Sequence, residues 1–389
     1  MDPFMKDFEH LKIDLEKIKL ATRNFDKTQV IGSGGFGKVY KAEIKKRSRV
    51  LERSLVYSQW KEVINEPHVF FYQFKLQYSS IQGSLTSSYK SFTLEEIKRA
   101  TNGFSDQNIL GEGAFGKVFR GNISGTTYDG LVAVKRLNEC SKQGQVEFQK
   151  EIELLSACNH PNIISLIGCC NEGSEKIIVY DFMKKGSLYD CVYIHKEQAP
   201  RLSVEQRLEI CIGVAKGISY LHYGSQNNII HSDLKTDNIL LDADLVPKIS
   251  DFGLSRTRVA GPSSSDVVTN TTKGTEGYIA PECYEPNYKV SRKADVYAFG
   301  VVLLEVLCER PPWERLLMLA LPYIWRREFP KIAPEYVTMN ISPGCSRVCV
   351  YILKDCLDNN PDNRPTINQV VDNLESASKL QKQESQANS

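Results

Sequence analysis

The sequence predicts an α+β fold, because strand patterns and a helix pattern stand side by side within one globular domain. Lys117-Val118-Phe119-Arg120 alternates between charged and apolar side chains, as a half-buried strand does. Leu131–Lys135 is a short apolar run that ends in a lysine, which indicates a second strand. Gln145–Cys158 places its apolar residues at near-helical spacing, which indicates a helix directly after the strands.

Composition and charge exclude several protein classes. Hydrophobic residues make up 41% and charged residues 25% of the 389 residues, so the chain is neither fibrous nor wholly disordered. The formal charge of +2 gives no bulk electrostatic reason to bind nucleic acid or a membrane surface. Residues 1–90 carry 16 basic and 10 acidic residues, whereas the remainder carries 33 and 37. The first quarter is therefore unlike the rest.

Cysteines and targeting signals favour a cytoplasmic protein. The eleven cysteines lie between Cys140 and Cys356 without paired CxxC motifs, so we expect reduced core thiols rather than a zinc site or disulfides. The N-terminus lacks the apolar stretch of a signal peptide, and Asp2 excludes the N-myristoylation pattern. No apolar stretch approaches the roughly 20 residues of a membrane-spanning helix, so no transmembrane segment is expected.

A repeat organises the chain. Residues 15–44 and 94–123 match at a constant offset of 79, without a gap, and 14 of the 30 positions are identical. A partial duplication explains this better than a solenoid, since there are only two copies. The predicted organisation is listed here: 1–44 an incomplete duplicate, 45–90 an irregular and mobile linker with a possible strand at 69–76, 91–103 a helical lead-in, 104–378 the main domain, and 379–389 a polar disordered tail.

Both copies contain GxGxxG, which by itself has three explanations. It occurs in dinucleotide sites, in hairpins that cover nucleotide phosphates, and in glycine-rich structural turns. The strand pattern after Gly116 disfavours the dinucleotide site, in which a helix follows the glycines. Gly111, Gly113 and Gly116 are therefore expected on a hairpin, where the absence of Cβ lets the backbone approach phosphates. The motif alone leaves a structural turn equally open.

The lysine seventeen residues after Val118 gives the hairpin a chemical context. Lys135 ends the second strand, and Glu151 lies on the predicted helix within reach of it. Such a pair would hold the lysine on the α- and β-phosphates of ATP. In the first copy, the residue seventeen after Val39 is Val56, not a lysine. We therefore expect Gly32, Gly34 and Gly37 not to form a working nucleotide site.

Three further motifs make the resemblance specific. Ile230–Asn238 contains His231-Ser232-Asp233 and resembles the H-R-D-x-x-x-x-N catalytic loop of protein kinases. Asp251-Phe252-Gly253 and Ala280-Pro281-Glu282 are similar to the D-F-G and A-P-E motifs, and the order of all five motifs is that of the family. The resemblance implies a bilobal protein kinase fold, with a small β-rich lobe containing one main helix and a larger helical lobe.

The resemblance also implies roles for individual residues. Asp233 would accept or orient the substrate hydroxyl, and Lys235 would offset charge near the γ-phosphate. Asn238 and Asp251 would bind Mg²⁺ through oxygen atoms. Tyr180 would be the gatekeeper. The remaining expected ATP contacts are Leu110, Gly111, Gly113, Phe115, Gly116, Val118, Ala133, Lys135, Asp181, Met183 and Leu240.

Several phrases resemble plant receptor-like kinases of the group related to Pelle and the interleukin-receptor-associated kinases. They are SFTLEEIKRATNGFS, NIISLIGCC, IVYDFM and DVYAFGVVLLEVL, and the resemblance covers about residues 91–378. It implies that Asp295 braces the catalytic loop and that Glu282 pairs with Arg364 inside the large lobe. It also implies a spine that packs between the lobes, formed by Leu155, Leu166, His231 and Phe252.

One departure from the family lies in the catalytic loop. Ser232 occupies the place of the arginine that commonly clamps a phosphorylated activation segment, and serine cannot form that charged fork. From this substitution we expect activity not to depend strongly on phosphorylation of residues 251–282. The hydroxyl residues in that segment are Ser263, Ser264, Ser265, Thr269, Thr271 and Thr272. Replacing all six with alanine would then leave phosphate transfer intact.

The function predicted from these motifs is a protein serine/threonine kinase that uses Mg²⁺ and ATP. Lys235, two residues after Asp233, is typical of serine/threonine rather than tyrosine kinases. A pseudokinase scaffold in receptor signalling is the alternative, whereas a dehydrogenase would have no use for the catalytic loop. Expected partners are protein substrates and a receptor or co-receptor. The expected location is the cytoplasm, with partner-mediated attachment to the plasma membrane.

Overall fold

A computed structural model gives the protein as two compact units, residues 1–85 and 86–389. The residues that the structure describes are 30–34, 37–46, 49–57, 69–72, 89–113, 116–125, 128–138, 142–194, 201–225, 228–257, 268–269, 273–285, 287–308 and 341–387. The predicted positions Phe115, Ser263, Ser264, Ser265, Thr271 and Thr272 lie outside these ranges. Each unit is described separately below.

The described part of the first unit is a four-stranded antiparallel sheet in the order β1-β2-β3-β4. The strands are β1 Val30–Gly34, β2 Gly37–Lys46, β3 Arg49–Tyr57 and β4 Val69–Tyr72. β1 and β2 form the hairpin of the duplicated glycine motif, with Gly34 opposite Gly37. β2 pairs with β3, and in this pairing Val39 lies opposite Val56. Val56 is the residue that the seventeen-residue spacing places where the second copy has its lysine.

β3 corrects the predicted irregular linker at 45–90. All nine of its residues pair with β2, from Lys46 opposite Arg49 to Lys38 opposite Tyr57. Pairing with β2 therefore specifies β3, which has no apolar alternation of its own. The strand predicted at 69–76 is present but shorter, at Val69–Tyr72.

The second unit begins with a six-stranded sheet in the order β5-β9-β10-β8-β7-β6. The strands are β5 Lys90–Ser91, β6 Ile109–Gly113, β7 Gly116–Ile123, β8 Gly130–Leu137, β9 Leu166–Cys170 and β10 Ile177–Asp181. β5 runs parallel to β9, and the other neighbours are antiparallel. β5 also corrects the predicted linker, since Lys90 lies within 45–90.

The lead-in segment forms helix α1, Leu94–Ala100. It begins with a capping box in which Glu96 N donates to Thr93 Oγ1 at 3.2 Å and Thr93 N donates to Glu96 Oε2 at 2.8 Å. Phe92 and Ile97 on this segment are buried in a small core with apolar residues of β7, β8, β9 and β10. The lead-in is therefore part of the hydrophobic core of the sheet.

The described part of the second unit also contains five longer helices and six short strands. The helices are α2 Lys142–Ser156, α3 Val204–Ser219, α4 Arg292–Cys308, α5 Pro343–Cys356 and α6 Ile367–Ala387. The strands are β11 Ile229–Ile230, β12 Ile239–Leu241, β13 Pro247–Ile249, β14 Arg256–Thr257, β15 Val268–Thr269 and β16 Tyr288–Lys289. Among the described helices, none is both long and apolar enough to cross a membrane.

A large core joins α2 to the helical lobe. Residues 295–308 of α4 are all buried, so this helix forms the centre of the large lobe. α2 is the main helix beside the six-stranded sheet. In the large lobe α3 and α5 pack against α4, and α6 packs against α3 and α5. This arrangement confirms the predicted α+β, bilobal fold. The cysteines among the described residues are free thiols.

Helix α6 corrects the predicted disordered tail at 379–389, because it continues to Ala387. Gln381 is buried, and its side-chain oxygen accepts a hydrogen bond from Ser342 N at 2.8 Å. Lys382 Nζ forms an ion pair with Glu209 on α3 at 3.0 Å. The polar residues that suggested disorder therefore form contacts between helices.

Candidate active site

A cleft of about 630 Å³ opens beside the hinge between the two lobes of the second unit. That volume lies within the usual range of small-molecule sites. Twelve residues predicted from the sequence line it, namely Leu110, Gly111, Val118, Ala133, Lys135, Glu151, Tyr180, Asp181, Met183, Asn238, Leu240 and Asp251. Gly113 and Gly116 lie on the adjoining hairpin, and Asp233 and Lys235 lie on the loop that ends at Asn238.

The glycine hairpin has the predicted geometry. β6 and β7 pair from Ile109 opposite Phe119 to Gly113 opposite Gly116. Gly116 has φ +147°, and a Cβ there would overlap the backbone of Arg136 on β8. Glycine is therefore required at this position by both backbone conformation and space.

Lys135 is held by two carboxylates. Its Nζ lies 2.8 Å from Glu151 Oε2 on α2 and 2.8 Å from Asp251 Oδ1. Burial alone would lower the pKa of Lys135, but the two carboxylates outweigh it and raise that pKa. Burial would raise the pKa of Asp251, and the charge of Lys135 reverses this so that the pKa lies below its usual value. Lys135 and Asp251 are therefore both charged at neutral pH.

Glu151 is fixed by contacts that the sequence did not indicate. Tyr180 Oη donates to Glu151 Oε1 at 2.6 Å, and Phe252 N donates to the same oxygen at 3.3 Å. Glu151 has a side chain only 1% exposed, so these bonds replace lost hydration. The predicted gatekeeper position is thus directly connected to the lysine–glutamate pair.

Three polar side chains surround the carboxylate of Asp233. Thr275 Oγ1 donates to Asp233 Oδ1 at 2.7 Å, and Asn238 Nδ2 donates to Asp233 Oδ2 at 3.2 Å. Lys235 Nζ lies 3.9 Å from Asp233 Oδ2. The contact of Thr275 was not predicted, because a single threonine 42 residues from Asp233 gives no signal in the sequence.

The oxygen atoms of Asn238 and Asp251 could bind a cation if phosphate groups supplied its other ligands. The amide nitrogen of Asn238 donates to Asp233 O at 2.9 Å, which leaves its amide oxygen for a cation. Asp251, ionised by its contact with Lys135, supplies a carboxylate. No group of three or more His, Cys, Asp and Glu residues able to hold a metal occurs within the described ranges. Mg²⁺, which prefers oxygen ligands and often takes one or two from protein, fits this pair if phosphates supply the others.

Comparison with known families decides the identity. The family model described as protein tyrosine and serine/threonine kinase matches residues 104–374. The chain belongs to this protein kinase family. The kinase match begins after the lead-in helix α1, although Phe92 and Ile97 of the lead-in belong to the core of the kinase small lobe.

The kinase is similar to plant receptor-like kinases. The receptor-like protein kinase FERONIA of Arabidopsis thaliana is 43% identical over 313 residues, which cover 77% of this chain and 34% of FERONIA. ANXUR1 of the same plant is 43% identical over 75% of this chain and 34% of its own length. THESEUS 1 is 41% identical over 77% of this chain and 35% of its own length. The chain therefore spans about a third of the length of these relatives.

Asp295 of the kinase braces the catalytic loop as the resemblance implied. Its Oδ2 accepts from His231 N at 2.8 Å, and its Oδ1 accepts from Ser232 N at 2.9 Å. His222 Nε2 lies 2.8 Å from the same carboxylate. Burial would raise the pKa of Asp295, but the hydrogen bond from His222 and the neighbouring charges lower it. Ser232 is held with φ +68°, a conformation that a non-glycine residue seldom adopts.

Two further predicted features, one inside the large lobe and one between the lobes, are present. Arg364 Nη1 and Nη2 each lie 2.7 Å from an oxygen of Glu282, in a two-pronged ion pair whose arginine is fully buried. The predicted spine residues Leu155, His231 and Phe252 are buried, and Leu166 is partly buried against the same core. The rings of His231 and Phe252 meet edge to face at 5.1 Å.

Proposed function

We propose that this chain is an active protein serine/threonine kinase that transfers the γ-phosphate of Mg-ATP to protein hydroxyls in receptor-like signalling. One observation carries the proposal: Lys135 contacts Glu151 and Asp251 at 2.8 Å each, which joins the phosphate-binding lysine to the helix and the metal-binding loop. A protein kinase needs the lysine–glutamate pair and the metal-binding aspartate in place for transfer.

ATP would lie in the cleft with its adenine against the hinge. The backbone of Asp181 and Met183 would bind the adenine, and Leu110, Val118, Ala133 and Leu240 would pack against its faces. Burial of Met183 and the cleft position of the other residues support this orientation. The glycine hairpin would cover the phosphates, whose charge Mg²⁺ would partly neutralise when bound by Asn238 and Asp251.

Asp233 would orient the substrate hydroxyl and receive its proton. Its carboxylate is buried and receives hydrogen bonds from Thr275 and Asn238, so it is held in one orientation. Lys235, whose Nζ lies 3.9 Å from Asp233 Oδ2, would offset the negative charge that develops on the transferred group. The position of Lys235 supports serine and threonine as the acceptors.

Autophosphorylation tests the proposal and separates it from the pseudokinase alternative. The full chain is incubated with Mg-ATP beside Lys135→Met and Asp233→Asn, and phosphoamino acids are identified after hydrolysis. We expect phosphoserine and phosphothreonine in the wild type and almost none in either variant. ATP binding is measured in parallel by melting temperature. Binding without transfer in the wild type would favour the pseudokinase, and equal incorporation in all three proteins would exclude catalysis by this site.

A further inference from the structure

The six-stranded sheet has one face toward the cleft and the other toward the small core. Ala133 and Lys135 of β8 line the cleft. Val132 and Val134, which alternate with them along the strand, are buried in the small core. The hinge leaves this sheet at Asp181, the last residue of β10. From each face of the sheet, one side chain of the small lobe contacts the hinge.

Tyr128 contacts the hinge from the face of the small core. Its ring is partly buried and packs against that core, which anchors the side chain in the small lobe. Its hydroxyl lies 3.3 Å from Asp181 Oδ1 and 3.4 Å from Leu131 O, and the charged carboxylate is the stronger acceptor for its single proton. Asp181 Oδ1 also accepts from Phe182 N at 3.0 Å. Tyr128 therefore acts on the first two residues of the hinge through one oxygen atom.

Burial and the neighbouring carboxylate keep this hydroxyl protonated. Both raise the pKa of Tyr128, burial more than the charge of Asp181. The hydroxyl is therefore a proton donor at neutral pH, which is what a contact with a carboxylate requires.

Arg120 contacts the hinge from the cleft face. It lies opposite Ala133 in the pairing of β7 with β8, and directly opposed residues share one face of a sheet. Its guanidinium carbon Cζ lies 5.6 Å from the centroid of the Phe182 ring, which is within the range of a cation–π contact. Phe182 is itself partly buried and lines the cleft. Two successive hinge residues are thus held by side chains from opposite faces of the sheet.

We propose that Tyr128 and Arg120 are positioning residues of the nucleotide site. With Asp181 and Phe182 they form a hinge clamp, which holds the backbone of the hinge in the arrangement that adenine needs. A hinge that is already ordered in the free protein loses less freedom on binding, so the nucleotide binds more tightly. The choice of adenine as the ligand rests on the proposed function, whereas the clamp is a property of the free protein.

Equilibrium binding separates an effect on adenine from an effect on the phosphates. Dissociation constants for adenosine, Mg-ATP and Mg-tripolyphosphate are measured by calorimetry for the full chain, Tyr128→Phe and Arg120→Met. Each variant loses a contact of about the strength of one ordinary hydrogen bond, so adenosine and Mg-ATP should both bind about threefold to tenfold more weakly. Tripolyphosphate should bind as it does to the wild type. Unchanged affinity for adenosine, or equal weakening of all three ligands, would overturn the proposal.

Double-mutant cycles test whether each residue acts through its hinge partner. Asp181→Ala removes the acceptor of Tyr128, so Tyr128→Phe should add little to the loss of adenosine affinity in that background. Phe182→Leu removes the aromatic face and keeps an apolar side chain, so Arg120→Met should add little to it. Additive losses would show that Tyr128 and Arg120 act elsewhere, and would likewise overturn the proposal.

Hydrogen exchange tests the hinge clamp without any ligand. The amides of residues 181–185 should exchange about threefold to tenfold faster in Tyr128→Phe and in Arg120→Met, with α4 unchanged. Tyr351→Phe is the matched control, because it removes an exposed hydroxyl that is hydrogen-bonded to Asp355 on α5. Arg347→Met removes an exposed guanidinium from the same helix. Both controls should leave exchange at the hinge and adenosine binding unchanged.

The two readouts distinguish failure of the clamp from failure of the proposed function. A wild type that binds neither adenosine nor Mg-ATP would contradict the proposed function, and faster exchange in the two variants would still support the hinge clamp. Unchanged exchange at residues 181–185 in both variants would overturn the clamp, whichever ligand the cleft binds.

Discussion

Replacing Phe92 with alanine tests whether the lead-in segment belongs to the kinase core. Phe92 is only 2% exposed, and its backbone N–H donates to Cys169 O at 2.8 Å. A Cβ on Gly168 would lie 2.5 Å from an atom of its ring, so the aromatic side chain packs directly on the backbone of β9. The alanine variant removes this ring and leaves a cavity between α1 and the sheet.

The expected loss follows from burial. Replacing a fully buried phenylalanine with alanine costs about 3–5 kcal/mol. For a unit of about 290 residues, an unfolding entropy of about 0.6 kcal/mol per degree converts this into a melting temperature lower by about 5–8 °C. Differential scanning calorimetry of the full chain measures it. Tyr284→Ala, which removes an aromatic side chain that is 59% exposed, is the control and should change little. A shift no larger than that of the control would refute docking of the lead-in.

Three other changes have defined outcomes. Glu282→Ala removes the carboxylate that neutralises the buried charge of Arg364 and should lower the free energy of unfolding in urea by about 3–5 kcal/mol. Glu375→Ala, which breaks an exposed pair, is the control and should cost less than about 1 kcal/mol. Deleting residues 379–389 should lower the melting temperature by several degrees, and an unchanged value would contradict the contacts of α6. Burial raises the pKa of Cys158 to about 11, so its alkylation should accelerate about tenfold per pH unit from pH 7 to 10, and a plateau above pH 9 would contradict this.

The hairpins could be predicted because spacing fixes register. The offset of 79 carries the pairing of β1 with β2 onto that of β6 with β7 residue by residue, including the irregularity after the first pair. In the second unit Val118 lies opposite Lys135, and in the first unit Val39 lies opposite Val56. Counting residues along the sequence therefore identified Val56 as the residue in the position that Lys135 has in the second unit.

Elements that depend on partner strands or helices could not be predicted. β3 has no clear apolar period, and its pairing with β2 specifies it. The end of α6 is polar in composition, but Gln381 is buried against Ser342. The local sequence does not show which distant surfaces such polar residues pack against.

The same limit applies to the site. The motifs predicted Lys135, Glu151, Asp233 and Asp251, since their types and order are specific. They did not predict the hydrogen bond of Tyr180 with Glu151 or that of Thr275 with Asp233. Each joins residues at least 29 positions apart, and no spacing rule connects them.

The most direct measurement of the central claim is the initial rate of γ-phosphate transfer from Mg-ATP to a serine-containing protein substrate. The wild type is compared with Asp233→Asn, and with Asp244→Asn as a control for the same chemical change at an exposed position. We expect a rate at least about 100-fold lower for Asp233→Asn, with ATP binding retained, and an unchanged rate for Asp244→Asn. Equal rates in the wild type and Asp233→Asn would contradict it.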